Sequence, residues 1–160
     1  MDVMRLIDQS RHALEDRQEP VAVMTEAWQA QALAQAVGSR MAVGGPPELR
    51  GEAIGLSEIG VRGCGALGPP RLGREGIRAA RLTRIGDARA ALLDLSALLG
   101  EVGIALVGLA CSAGADGVYW QCMEAIDAAD ESRDRILEMV RKLTDREAHL
   151  PEPDRAAGTS

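Results

Sequence analysis

Several groups of residues in this chain have types and spacings that could do chemistry. Gly63-Cys64-Gly65-Ala66-Leu67-Gly68 matches GxGxxG letter for letter. In a dinucleotide site such glycines turn a strand into a helix whose N-terminus meets the pyrophosphate, and an acid about 20 residues on takes a ribose hydroxyl. Asp87 lies at about that distance, but Pro69 and Pro70 follow the last glycine at once and no strand-helix-strand alternation surrounds the match. A flexible interhelical loop is the expected structure. Ala110-Cys111-Ser112-Ala113-Gly114 resembles a nucleophile elbow, with Asp127 and His149 following in hydrolase order. An elbow needs a strand before it and a sheet around it, so a helix terminus is expected instead.

The carboxylates Glu124, Asp127, Asp130, Glu131, Asp134 and Glu138 form the densest acidic cluster. On a helix, Glu124, Asp127, Glu131, Asp134 and Glu138 share one broad stripe, and Glu124-x-x-Asp127 resembles half of the metal site of all-α nucleotide pyrophosphohydrolases. A Mg²⁺ site there would combine a few carboxylates with substrate phosphates, which makes Glu124, Asp127 and Glu131 candidate ligands. The other half, an ExxE pair on an earlier helix, is missing, and so is the ExxH of ferritin-like di-iron proteins. A solvated face is the expectation, with neither metal nor cofactor.

Arg71, Arg74, Arg78 and Arg81, continued by Arg84 and Arg89, make a basic stretch with helical spacing. From Arg62 to Arg89 the chain carries five more positive than negative charges, and from Glu124 to Glu138 four more negative than positive. The two stretches are expected to meet, within the fold or across a dimer, and to set which helices pair. Arg74, Arg78 and Arg81 are therefore candidate partner-binding residues. Trp28, Tyr119 and Trp120, the only aromatic residues, are expected as core anchors or as the walls of a partner pocket.

The elements that carry these groups follow from apolar periodicity. Val3, Leu6, Ile7, Ser10, Ala13 and Leu14 put one stripe on a first helix, about Asp2 to Arg17. Pro20 suits the start of a second, which Val23, Met24, Ala27, Trp28, Leu33, Ala34, Val37 and Met41 carry to about Val43 before Gly44-Gly45-Pro46-Pro47. Residues 48–67 read as helix or loop. Gly51, Gly55 and Gly60 each weaken a helix by roughly 1 kcal/mol, although Gly51 and Gly55 would let a neighbouring backbone approach. From about Arg74 the helical pattern resumes and reaches Cys111, apolar on nearly every face after Ala90. That pattern marks a helix surrounded by others or a surface shared with a second copy. The last helix, about Val118 to Ala148, has a seam of Tyr119, Cys122, Ile126, Ala129, Arg133, Ile136, Val140 and Leu143. The tail, 150–160, has two prolines and no apolar period and is expected to be disordered.

Composition bounds the answer. A chain of 160 residues makes one domain and buries roughly two thirds of its unfolded surface. With no Phe, the core must come from Leu, Ile, Val, Ala and Met, which suits packed helices better than sheets. The net charge of -6 argues against nucleic acid or an anionic membrane as partner. Cys64, Cys111 and Cys122 have no metal-like or redox-like spacing and read as reduced thiols. Asp2, Arg5, Asp8 and Arg11 interrupt any signal-like start, and the longest uncharged piece near the middle, Val102 to Ala115, is short of the roughly 20 residues of a membrane span. A cytoplasmic protein is expected. Its fold class is all-α, an antiparallel bundle of four to five helices over residues 1–149.

Two segments, AWQAQALAQAVGSRMAVGGPPELRGEA from Ala27 to Ala53 and LLGEVGIALVGLACSAGADGVYWQCMEAIDAADESRD from Leu98 to Asp134, resemble a family of uncharacterised proteins from streptomycete-type actinobacteria. The resemblance covers about two thirds of the chain. It implies a soluble, helical bacterial protein and carries no catalytic residues with it. The expected function is thus a non-enzymatic interaction or regulatory protein, self-associating as a homodimer. The alternative is a small metal-dependent hydrolase of phosphorylated compounds using Glu124 and Asp127.

Overall fold

The computed structural model describes residues 1–16, 19–114 and 116–149, so the expected tail lies outside the described residues. Among them are five α-helices and no strand: α1 (Val3–Asp16), α2 (Pro20–Gly44), α3 (Arg50–Leu67), α4 (Ala88–Ser112) and α5 (Asp116–Ala148). The all-α expectation holds.

Each helix forms where the sequence supplies a start, a stripe and a stop. In α1, Val3, Leu6 and Ile7 are buried, and the Ser10 hydroxyl donates to the Leu6 carbonyl at 2.9 Å, so a polar residue can share the buried stripe. Pro20 opens α2, whose missing N–H costs nothing in a first turn. Gly45 stops it, its N–H donating to Met41 O at 2.9 Å. A short 3₁₀ turn, Pro47–Leu49, leads straight into α3. Residues 50–67 are therefore helical despite their glycines, and α3 ends at Gly68, whose φ of 75° an L side chain rarely adopts. Asp87 caps α4, Oδ1 accepting from Ala90 N at 3.0 Å.

What those glycines do is visible at the crossing of α2 and α3. A Cβ on Gly38 of α2 would lie 2.7 Å from Ala53 O, and one on Gly60 of α3 would lie 2.9 Å from both Gln31 O and Gln35 N. The two backbones touch at both points, so packing offsets the poor helix propensity of glycine. Gly51, in contrast, has no heavy atom within 4 Å of a notional Cβ, and the expected close approach at Gly51 and Gly55 occurs instead at Gly38 and Gly60.

Gly38 meets Ala53 while Gly60 meets Gln31, Gly55 meets Arg135 while Arg62 meets Glu131, and Gly100 meets Arg133 while Arg89 meets Glu147, so α2 is antiparallel to α3, α3 to α5 and α5 to α4. The resulting four-helix ring closes through α2 and α4, and α1 lies across α2 and α4. Leu33, Leu56, Leu92, Leu95, Leu99, Leu106, Ile136 and Met139 are fully buried at its centre. Each is worth roughly 1.5–3 kcal/mol of removal from water.

Two expectations about element boundaries are corrected. Residues 68–87 do not continue α4. They form a strap with two 3₁₀ turns, Arg74–Gly76 and Arg78–Arg81, because Gly73, Gly76 and Gly86 punctuate the arginines. On α5, the buried seam is Cys122, Ala125, Ala129, Ser132, Ile136, Met139 and Leu143. The core takes the small Ser132 and rejects its charged neighbour Arg133, which moves Tyr119 and Arg133 to one side of the seam.

Candidate functional site

The nucleotide-like glycines occupy the C-terminal end of α3, not the N-terminal end of a helix. Carbonyl oxygens and the negative end of the helix dipole lie there, which repels a pyrophosphate. Gly63 is buried against the Gln31 side chain within α3, so the expected loop begins only at Gly68, the helix stop. Asp87 is engaged as a helix cap. Ser112 ends α4 with its hydroxyl donating to Leu109 O at 3.2 Å, and His149 Nδ1–H donates to Asp145 O, 2.7 Å away. A serine turned onto its own helix is no nucleophile elbow.

Glu124, Asp127 and Glu131 do come together, on the exposed side of α5, where they line one shallow groove with Arg62, Gly65 and Ala66 of α3. Arg62 Nη2 pairs with Glu131 Oε2 at 2.7 Å. No group of three or more His, Cys, Asp or Glu among the described residues is arranged to hold a metal ion. An i, i+3, i+7 row of carboxylates spreads along the helix surface, and a guanidinium already neutralises one of them.

The basic stretch is divided in its contacts. Arg78 turns inward to Glu26 of α2, a residue singled out by nothing in the sequence reading. The Glu26 side chain is only 3% exposed and that of Arg78 13%, and Arg78 Nη1 lies 2.5 Å from Glu26 Oε2. Gln29 holds the same turn from both sides, its Nε2 donating to Gly76 O at 2.7 Å and its Oε1 accepting from Arg78 N at 3.0 Å. Arg74 and Arg81 are exposed and form no ion pair among the described residues. The expected meeting of basic and acidic stretches is realised by one ion pair among the described residues, Arg62 with Glu131, while Arg89 pairs at 3.6 Å with Glu147, beyond the acidic stretch. Arg78 meets α2 because the strap crosses α1 and α2, on the far side of the ring from the acidic face of α5.

Elsewhere ion pairs tie helices together at the surface. Arg11 of α1 donates to Asp94 at 3.0 Å and Glu101 at 3.2 Å on α4, and Lys142 of α5 to Glu52 of α3 at 2.9 Å. The Lys142 ammonium holds the Glu52 carboxyl below its ordinary value, and the Arg141 guanidinium does the same to Glu138. Burial pushes the Cys64 thiol up to about 11 and that of Cys122 upward as well.

The aromatic residues split. Trp28 is half-buried against the core, and its carbonyl accepts from Cys64 Sγ at 3.7 Å. Tyr119 and Trp120 are not core anchors. Their rings meet edge to face at 5.3 Å on an exposed part of α5, with Trp120 62% exposed. They lie at the end of α5 that flanks the last turns of α4.

One face of α4 is left uncovered among the described residues. By length and composition the helix is apolar enough to cross a bilayer, yet only 44% of its apolar window is buried within the chain. The outward residues Leu93, Ala97, Gly100, Ile104, Val107 and Cys111 recur at four- and three-residue steps, the spacing of a helix-pairing seam. Ile104 is 76% exposed. Glu101 borders this stripe on the side of α1. Arg133 of α5 borders it on the other, with its Cζ 3.3 Å from where a Cβ on Gly100 would stand. The Arg133 Nε is buried with no acceptor, and the side chain forms no ion pair among the described residues.

Fold and surface together define a five-helix bundle with one uncovered apolar helix face. Residues 1–142 match the family described as family of unknown function (DUF6099), and the chain belongs to that family. No curated protein and no solved structure matches it.

Proposed function

We propose that this chain is a helical interaction protein that works by self-association, with the outward stripe of α4 as its contact. The single observation that carries the reading is that stripe: apolar residues at pairing intervals over about five turns, left open while Leu92, Leu95, Leu99 and Leu106 of the same helix are buried. Water-exposed apolar surface of that length on a small domain is costly in solution, and contiguous patches of this kind mark interaction sites. We read the protein as cytoplasmic and actinobacterial, with regulation through association as its role and Arg74, Arg81 and the Tyr119–Trp120 pair as further surface available to a protein partner. The hydrolase reading has no comparable support, since the groove at Glu124 and Asp127 is shallow and shared with Arg62.

Sedimentation velocity across a micromolar concentration series tests this, with Ile104→Glu as the variant. The wild type should pass from monomer to dimer as concentration rises, and the variant should remain monomeric with unchanged helical circular dichroism. A wild type that stays monomeric throughout, or that binds neutral lipid vesicles through α4 instead, overturns the proposal.

A further inference from the structure

We infer that two copies pair with their α4 helices parallel, about a two-fold axis running along the stripe, so that Arg133 of each copy meets Glu101 of the other. This rests on the self-association reading and specifies its geometry. The occupant of the face is a second copy because the face is self-complementary in charge. Arg133 and Glu101 stand on opposite borders of one apolar strip at nearly the same level, since Arg133 lies over Gly100 and the next residue along α4 is Glu101. A two-fold axis parallel to the helix sets each border against the opposite border of the partner, guanidinium to carboxylate. A two-fold axis perpendicular to the helix sets each border against itself, bringing Arg133 near the partner's Arg133 and Glu101 near the partner's Glu101.

Both charges are available for the role. Arg133 Nε has no acceptor and the side chain no ion pair among the described residues, and the Glu101 side chain is 46% exposed while holding Arg11 at 3.2 Å. Charged residues beside an apolar seam set partner choice and orientation in paired helices. The size of the face is adequate. The stripe from Leu93 to Cys111 on α4 spans roughly 27 Å at 1.5 Å per residue. Tyr119, Ile126, Arg133 and Leu137 share the face of α5 that borders the stripe, at seven- and four-residue steps, and Tyr119 and Leu137 are 40% and 47% exposed. A strip two helices wide then offers roughly 500 Å² per copy, which with its partner reaches the roughly 1,000 Å² that a specific interface needs. In the parallel arrangement Ile104 meets the partner's Ile104, and the exposed Cys111 stands opposite the partner's Cys111.

Two measurements test the geometry. In sedimentation equilibrium, Arg133→Glu and Glu101→Arg should each weaken dimerisation roughly tenfold or more, and the two together should restore it to within roughly threefold of wild type. Each variant is checked for wild-type helicity and thermal midpoint, so that loss of fold is not read as loss of pairing. In the second, copper-phenanthroline and oxygen are used to oxidise the full chain. The wild type should give dimers linked through two Cys111 thiols, and Cys111→Ser should give none. If the chain dimerises but the charge variants leave the equilibrium unmoved, and Leu93→Cys links to Cys111 while Cys111 does not link to itself, the helices are antiparallel. This inference then falls while self-association stands. A chain that is monomeric at every concentration removes both.

Discussion

Arg78 reaches from the strap into the bundle to neutralise Glu26, and the two form the most deeply buried ion pair among the described residues. A buried pair stabilises little relative to two apolar residues, but either partner alone is costly, because the other is left charged and unpaired. Arg78→Met should therefore lower unfolding free energy by roughly 3 kcal/mol, and Glu26→Leu with Arg78→Met together should cost less than the single change. Urea denaturation measures both. A single-variant loss below roughly 1 kcal/mol would show the pair to be solvated like a surface one.

Gly60 and Gly103 should respond to alanine with opposite signs. At Gly60 the new methyl meets backbone atoms 2.9 Å away, and at Gly103 it meets nothing within 4 Å. Gly60→Ala is expected to destabilise by roughly 1–3 kcal/mol through overpacking. Gly103→Ala is expected to stabilise by roughly 0.5–1 kcal/mol, because alanine favours helix interiors. Thermal midpoints that move in the same direction for both would contradict the close crossing of α2 and α3.

The Glu52–Lys142 pair makes a small, pH-dependent contribution. Hydrogen bonding to Lys142 holds the Glu52 carboxyl below its ordinary 4.5 in the folded chain. A depressed acid binds its proton less readily when folded than when unfolded. Its stabilisation is thus present above about pH 4.5 and is lost as pH falls through the lowered folded value. The pair is partly exposed, so its worth is below roughly 1 kcal/mol. Denaturation of wild type and Lys142→Met should differ at neutral pH and converge in acid, and a difference that persists unchanged at low pH would contradict this account.

Thiol reactivity should divide the three cysteines. Cys111 is exposed, Cys122 is fully buried, and burial holds Cys64 at about 11. Only the thiolate attacks, and only where the reagent reaches it. At concentrations where the chain is monomeric, iodoacetamide near neutral pH should modify Cys111 first, with Cys64 and Cys122 following only on unfolding. Peptide mapping that finds Cys122 modified as fast as Cys111 would contradict the packing of α5 on the core.

Much of this architecture was legible in the residues. Stripes such as Val3, Leu6 and Ile7 or Ala34, Val37 and Met41 recur at helical steps, Pro20 and Gly45 mark where α2 begins and ends, and a core without phenylalanine must pack closely. Local periodicity and backbone preference act within a few residues of chain, so they can be read along it. The glycines of α3 could not be interpreted that way, because their cost is offset by α2, a helix far away in sequence. The same is true of Glu26 and Arg78, whose partnership exists only because the strap crosses α2, and of Ser132, which the core takes in preference to Arg133. Above all, apolar residues on every side of α4 meant either burial or a shared surface. Only the placement of α1, α2 and α5 against its other sides showed which residues of α4 are buried and which face is left uncovered by the described chain.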